Sequence, residues 1–261
     1  MSTIISIVNQ KGGVAKTTTA INLSASLGAM GKKVLIVDLD PQGNATTGYG
    51  IKKKTLEKTT YDVVMGDVRP AEAIIKTEFK NVSIMPSTPS LAEAEIRLPN
   101  FDNKTLQLKK ALLQIKDSYD IIIVDCLPSL GVLALNGLSA ADQVIIPMQC
   151  EPYSLEGVAE LLKTVKKVKA TSNRNLQIMG IVFTMLDKRL TVNREVMMSI
   201  KANFPEDIIF KTEIPRNVKI SEAPSHGEPI MYYDPASKGA EAYKRLAKEV
   251  LNKIKKLSEM L

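Results

Sequence analysis

Short runs of apolar, mostly β-branched residues alternate along this chain with longer segments in which apolar positions recur at helical spacing. The runs Ile4–Val8, Lys33–Asp38, Val82–Met85, Ile121–Asp125, Val144–Met148 and Ile178–Thr184 predict strands, with a last one at Ile208–Phe210. Several are almost continuously apolar, as parallel strands covered on both faces are. Between them, Thr17–Met30, Lys104–Lys116, Leu155–Lys169, Thr191–Asn203 and Ser237–Lys256 carry the spacing of amphipathic helices. The alternation predicts an α/β fold, a doubly wound and mostly parallel sheet with helices on both faces. No internal repeat, low-complexity tract or Pro/Gly/Ser-rich linker divides the chain, so a single domain over residues 1–261 is expected.

Composition narrows the classes. Apolar residues make up 44% and charged ones 24%, an ordinary globular balance. Two cysteines, Cys126 and Cys150, do not make a disulfide scaffold and fit a reducing compartment. The first apolar run is too short for a signal peptide, and no stretch approaches the roughly 20 apolar residues of a membrane span. A cytoplasmic protein is expected. A net charge of +7 is compatible with a polyanionic partner without requiring one. A single histidine, His226, disfavours histidine-based catalysis or metal clusters.

Ligands of such sheets sit beyond the carboxyl ends of the strands, and polar signals gather there four times: at 9–16, 38–44, 125–129 and 149–151. The first is the run Asn9-Gln10-Lys11-Gly12-Gly13-Val14-Ala15-Lys16-Thr17-Thr18-Thr19, between a strand and a helix start. Backbone N–H groups and the helix dipole there favour an anion. Lys16-Thr17 has the chemistry of a nucleoside-triphosphate loop, lysine on phosphate and hydroxyl on Mg²⁺. The strict G-x-x-x-x-G-K-[ST] pattern fails, because Gln10 and Ala15 replace both outer glycines and Lys11 adds a second lysine. An ordinary glycine-rich turn is the plain alternative. After the second strand, Asp38-Leu39-Asp40-Pro41-Gln42-Gly43-Asn44 places Asp40 where a water-orienting carboxylate could stand, or simply makes a turn. Asp125 ends the apolar run that begins at Ile121, at the position of a carboxylate that holds Mg²⁺ through water.

Taken together these residues resemble a family. The loop from Lys11 to Thr18 is similar to the deviant Walker A motif, K-G-G-x-G-K-[ST], of the ParA/MinD ATPase superfamily. The run Asp38 to Thr46 resembles the ParA signature, and Asp125-Cys126-Leu127-Pro128-Ser129-Leu130-Gly131 resembles the Walker B and switch II segment. Ile214-Pro215-Arg216-Asn217-Val218 and Ser221 to Gly227 look like the chromosomal, Soj-like branch. The resemblance implies a P-loop ATPase that uses ATP and Mg²⁺ and closes into an ATP-dependent homodimer. It implies binding of double-stranded DNA without sequence preference, and a ParB-type partner that stimulates hydrolysis and releases the DNA.

By the same resemblance Lys11 reaches the partner subunit's phosphates and Lys16 acts on its own. Asp40 orients the attacking water, and Thr17, Asp40 and Asp125 serve the metal. Gly12, Gly13, Val14, Ala15, Thr18, Pro215 and Arg216 join them at the nucleotide, and Arg189 and Lys219 contact DNA. A nucleoid-associated location with no stable membrane association follows. The acid-free cluster Lys163, Lys166, Lys167, Lys169 and Arg174 lies opposite an apolar stripe of Val158, Leu161, Leu162, Val165 and Val168, and reads equally well as a solvated helix face.

Two departures from the family pattern bear on turnover. Ala15 stands for a glycine whose backbone approaches phosphate, and its methyl is expected to weaken binding or hydrolysis. Leu127 stands for the first of two prolines and loosens switch II. The alternatives are a MinD-like membrane ATPase using the basic amphipathic tail from Val250 to Leu257, and a nitrogenase-type iron–sulfur reductase, for which Cys150 is misplaced. A biosynthetic ligase or amidase of the same fold and a nucleotide-gated binding module without turnover complete the set.

Overall fold

Residues 2–260 are described by a computed structural model. Its strands are β1 (Thr3–Ile7), β2 (Val34–Leu39), β3 (Ile75–Lys76), β4 (Val82–Met85), β5 (Ile121–Cys126), β6 (Gln143–Gln149) and β7 (Gln177–Thr184). They form one sheet in the order β3-β4-β2-β5-β1-β6-β7, parallel throughout except for the two-residue edge strand β3. The helices are α1 (Lys16–Ala29), α2 (Asn44–Gly48), α3 (Thr60–Met65), α4 (Ala92–Arg97), α5 (Gln107–Leu113) and α6 (Val132–Ala140). They continue as α7 (Ser154–Thr171), α8 (Thr191–Asn203), α9 (Val218–Glu222), α10 (Ile230–Tyr233) and α11 (Lys238–Met260).

The period of two along each strand divides the core into halves. Leu35, Val37 and Leu39 of β2 and Ile122, Val124 and Cys126 of β5 face one cluster, with α6 and α7 over it. Ile36 and Ile123 face the other, covered by Ala20, Leu23 and Leu27 of α1 and by Tyr243, Leu246 and Val250 of α11. Apolar cover on both faces explains why the strand sequences run without alternation. From β1 the chain passes to β2 on one side and later to β6 and β7 on the other. The β1–α1 loop therefore lies at the switch of strand order.

Six strands and five helices stand where the hydrophobic pattern places them, within a few residues. The expected strand at Ile208–Phe210 is instead a 3₁₀ turn, Glu206–Ile208, followed by a single parallel bridge between Ile181 and Ile209. The Glu249 carboxylate of α11 takes the Lys211 and Thr212 N–H groups at 2.8 and 3.0 Å, so no ladder extends from the bridge. Helix α5 is shorter than the expected 104–116, since the Asn136 side chain takes the Leu108 N–H at 3.1 Å. Helix α6 was hidden from the pattern because eight of its nine residues are buried, leaving no polar face to mark a period. Val158, Leu161, Val165 and Val168 of α7 are buried and Leu162 half-buried, while Lys163, Lys166, Lys167, Lys169 and Arg174 stand exposed. Among the described residues no helix is long and apolar enough to cross a membrane.

Tyr243 is the largest fully buried side chain. It wedges α11 against α1, its hydroxyl 3.4 Å from Thr19 Oγ1. Tyr243→Ala is expected to lower the unfolding free energy by about 3–5 kcal/mol, and Tyr243→Phe by about 1 kcal/mol or less. Urea denaturation of the two variants checks the difference.

Candidate nucleotide site

The loop from β1 to α1 is pinned before it turns. Asn9 donates through Nδ2 to the Pro147 carbonyl at 2.8 Å and accepts the Lys11 N–H on Oδ1 at 3.0 Å. Thr184 at the end of β7 donates to the Val14 carbonyl at 3.0 Å, and the Val14 side chain is buried. Gly13 (φ 74°) and Ala15 (φ 64°) both lie in the left-handed region. Beyond the adjoining residues, no atom of the described residues lies within 4 Å of where a Cβ on Gly12 or Gly13 would stand, so these glycines leave room in front of the loop. Ala15 is the N-cap of α1 and offers no side-chain acceptor to the first-turn N–H groups. A helix start without a side-chain cap presents those groups, and the positive end of the dipole, to an anion.

The two lysines are placed differently. Lys16 is buried, and its ammonium donates to the Lys11 carbonyl at 2.9 Å. Burial lowers its pKa against the opposing pull of Asp125 and Asp40. Lys11 lies at the rim, its ammonium 2.6 Å from Glu151, with both side chains more than 40% exposed.

Below the loop the register of β2 against β5 sets Asp38 beside Asp125, both fully buried. Asp38 is satisfied by the Thr46 N–H (2.8 Å) and hydroxyl (2.7 Å) and by the Asp40 N–H (3.3 Å). Burial still pushes its pKa up to about 6. The Thr46 hydroxyl accepts the Ser87 N–H at 2.9 Å, and Ser87 Oγ donates to the Asp40 carbonyl at 2.7 Å. This chain of bonds holds the Asp40 turn, in which Asp40 Oδ1 accepts the Gln42 N–H at 2.8 Å. Asp125 has no hydrogen bond on either carboxylate oxygen. Burial, and then the Asp38 charge, push its pKa well above the carboxylate range, against the weaker pull of the Thr17 hydroxyl and Lys16. A buried carboxylate without partners, beside a threonine hydroxyl and a second carboxylate turn, has the chemistry of a hydrated divalent-cation site.

Gly12, Gly13, Ala15, Lys16, Thr17 and Thr18 form one wall of a cleft of about 590 Å³, which Asp40, Pro41, Gln42, Asn44, Leu127–Ser129 and Met185 complete. Asp125 lies behind the lysine–threonine wall rather than on the surface of the cleft. Pro215 and Arg216 run beside the end of β7, where Leu186 bridges Pro215, and reach the cleft only through the neighbouring Met185. Arg189 and Lys219 stand outside it. Thr184, Ser87 and the Asp38–Thr46 hydrogen bonds support the site without being marked as contacts in the sequence. Their only signals were a polar residue at a strand end and a threonine eight positions after an aspartate. Cys126 and Cys150 are both buried, and burial raises both thiols, Cys150 to about 12, so neither offers a thiolate to a cluster.

Ala15 already holds the left-handed conformation, so its methyl is a source of strain rather than of a different loop path. Ala15→Gly relieves about 1 kcal/mol of strain and loses a similar amount to the freer unfolded chain. Because the loop path is the same with either residue, ATP affinity measured by calorimetry should stay within about threefold, under 1 kcal/mol. For Asp125 the native pKa is raised, so its contribution to stability is present below an unfolded value near 4 and is lost as pH rises through the native value. Nucleotide-free Asp125→Asn is therefore expected to gain on the parent as pH rises above about 4, in urea titrations at a series of pH values. Mg²⁺ should stabilise the parent more than the variant.

An AAA domain family model matches residues 2–178. The sporulation initiation inhibitor protein Soj of Bacillus subtilis is 51% identical over 250 residues, covering 96% of this chain and 98% of that protein. The chromosome-partitioning ATPase Soj of Treponema pallidum is 47% identical over 251 residues, covering 96% and 98%. A crystal structure of cobyrinic acid a,c-diamide synthase from Mycobacterium smegmatis with bound ADP and magnesium superposes with a TM-score of 0.86 at 37% identity, covering 98% of this chain and 96% of that one. With the two-lysine loop, the paired aspartates and the strand order, these matches settle descent: the chain belongs to the ParA/MinD superfamily of deviant Walker A ATPases, in its Soj-like ParA branch.

Proposed function

We propose that the chain is a ParA-type ATPase of chromosome or plasmid partition whose ATP-bound form is a homodimer that holds DNA. The observation that carries this reading is the division of labour between the lysines. Lys16 is buried against its own loop, whereas Lys11 stands at the rim in an exposed pair with Glu151. Exposed ion pairs of this kind contribute about 0–1 kcal/mol, so a triphosphate of a second subunit can displace Glu151 at little cost. In this reading Lys16 and the first-turn N–H groups of α1 hold the phosphates of the same subunit. Thr17 and Asp125 hold Mg²⁺ with its water, and Asp40 orients the attacking water. Gly12, Gly13, Val14, Ala15 and Thr18 shape the cradle, and Pro215 and Arg216 border the nucleoside end. Bound Mg²⁺ supplies neutralisation of the phosphate charge that builds during transfer.

The DNA face is assigned to Arg189 and Lys219. Both cations are now paired, Arg189 with Asp187 at 2.6 Å and Lys219 with Glu222 at 2.9 Å, and both are exposed. Phosphates compete for such pairs readily, and binding through them is independent of sequence and sensitive to salt. A ParB-type protein is the partner expected from the relatives named for chromosome partitioning, and nucleoid association follows from the DNA contact. Against the membrane alternative, α11 spends its apolar side on the core. Tyr243, Leu246, Ala247 and Val250 are fully buried, and Leu251 and Ile254 pack on the same cluster. That helix has no free apolar stripe for a lipid surface over those turns.

With Mg-ATP the protein should dimerise in light scattering and shift arbitrary duplex DNA in a gel, and a ParB-type partner should raise its ATPase rate. Lys11→Ala should leave a monomer that still binds ATP. Arg189→Ala should weaken DNA binding and reduce the slope of log affinity against log salt by about 1. An ATP-dependent dimer formed by Lys11→Ala would overturn the role of that lysine.

A further inference from the structure

The segment Leu127–Ser129 borders the nucleotide cleft, and α6 starts three residues later. Its N-cap is Gly131, which has no side chain to bond the first-turn N–H groups. Glu95, on the short helix α4, supplies that bond from 37 residues away. Its Oε2 accepts the Val132 N–H and its Oε1 the Leu133 N–H, each at 3.1 Å. One carboxylate thus bridges two adjacent orphan donors at the positive end of a helix dipole, and charge strengthens both bonds. The glycine is part of the device. Gly131 has an ordinary φ of −69°, open to any residue. A Cβ there would stand 2.4 Å from Glu95 Oε2 and 2.7 Å from Oε1, so the absence of a side chain is what lets the carboxylate close on the helix. Farther along α6, Asn136 donates to the Lys104 carbonyl at 2.7 Å and accepts the Leu108 N–H at 3.1 Å. The helix is therefore fastened to the 92–108 region at two points. Only the first lies next to the cleft.

We propose that Glu95 is a positioning residue for ATP hydrolysis: by capping α6 from outside, it fixes where the Leu127–Ser129 wall stands relative to the loop that holds the phosphates. Glu95 lies outside the cleft and touches no residue assigned to phosphate or metal, so it acts only through the wall. The inference rests on the reading of the cleft as the ATP site. It predicts a particular split: ATP binding depends on the β1–α1 loop, which Glu95 does not contact, whereas turnover depends on the placement of the opposite wall.

The experiment compares Glu95→Ala and Glu95→Gln with the parent in steady-state ATPase assays, in Mg-ATP binding by calorimetry, and in amide hydrogen exchange. The expected result for Glu95→Ala is a fall in kcat of about tenfold or more, the scale on which a misplacement remote from the chemistry detunes a site. ATP affinity should stay within about twofold, because no phosphate contact is lost. Exchange should quicken at Val132 and Leu133 and not in α1. Glu95→Gln keeps an acceptor oxygen without the charge, so its kcat should fall less than that of Glu95→Ala, and it remains informative if the alanine variant does not fold. Unchanged kcat despite faster exchange at Val132 and Leu133 would make the cap a matter of stability alone and overturn the proposal, as would equal loss of affinity and turnover. Failure of the parent itself to bind Mg-ATP would instead remove the reading of the cleft, a result separable from both.

Discussion

Two carboxylates lie side by side in full burial because β2 and β5 are neighbours in register, and much of the site answers to that fact. Asp38 and Asp125 occupy equivalent positions at the carboxyl ends of adjacent parallel strands, with one buried lysine near them. Burying like charges together works against folding, so the cores on both faces of the sheet must supply the stability that this end of it lacks. The structure resolves half of the conflict internally. Asp38 is tied to Thr46 and Asp40 and becomes an anchor for the turn that carries Asp40. Asp125 is left with both oxygens unbonded, facing the start of α1. A positive charge bound at that point would relieve the strand ends and the loop together.

A contrast in burial separates what is fixed from what can exchange. The bonds that hold the cradle involve buried groups: Asn9 to Pro147, Thr184 to Val14, Ser87 to Asp40. Losing one of them strands a buried polar group, at about 1–3 kcal/mol. The cations assigned to outside partners are themselves exposed and are paired with carboxylates, Lys11 with Glu151, Arg189 with the half-buried Asp187 and Lys219 with Glu222. Asp187 is held down to about 2 by Arg189, yet the guanidinium stands in solvent, where phosphate can compete for it. Buried bonds thus hold the cradle, and solvent-facing, exchangeable pairs hold the three cations proposed to meet a second subunit or DNA.

Most of the central fold could be read from the chain, for a physical reason. Strands covered on both faces leave continuous apolar runs, and half-covered helices such as α7, α8 and α11 leave a period. Elements without either signature escaped. Helix α6 is buried nearly all round, β3 is two residues long, and the bridge at Ile209 is cut short by a carboxylate from a helix about 40 residues later. The cleft followed the same rule. Residues contiguous in the β1–α1 loop were legible as a motif, and Asp40 and Asp125 as strand-end carboxylates. Contacts made across the sheet, such as Thr184 to Val14 or Glu95 to Val132, leave no trace in local spacing. At Ala15, where the family pattern has glycine, the residue is held in the left-handed conformation that glycine adopts freely.

Leu127 shows how a departure from a family pattern can be absorbed. A proline there would fix one φ angle by its ring. The leucine leaves that angle free, but its side chain is half-buried and packs on the core cluster that includes α6. Apolar contact thereby holds one end of the segment, while Glu95 holds the other by capping the helix that follows. A tether made of packing and a carboxylate can be released and re-formed, whereas a ring constraint cannot. The cleft wall of this chain is therefore held by apolar packing and a carboxylate cap, where the family pattern has a ring constraint.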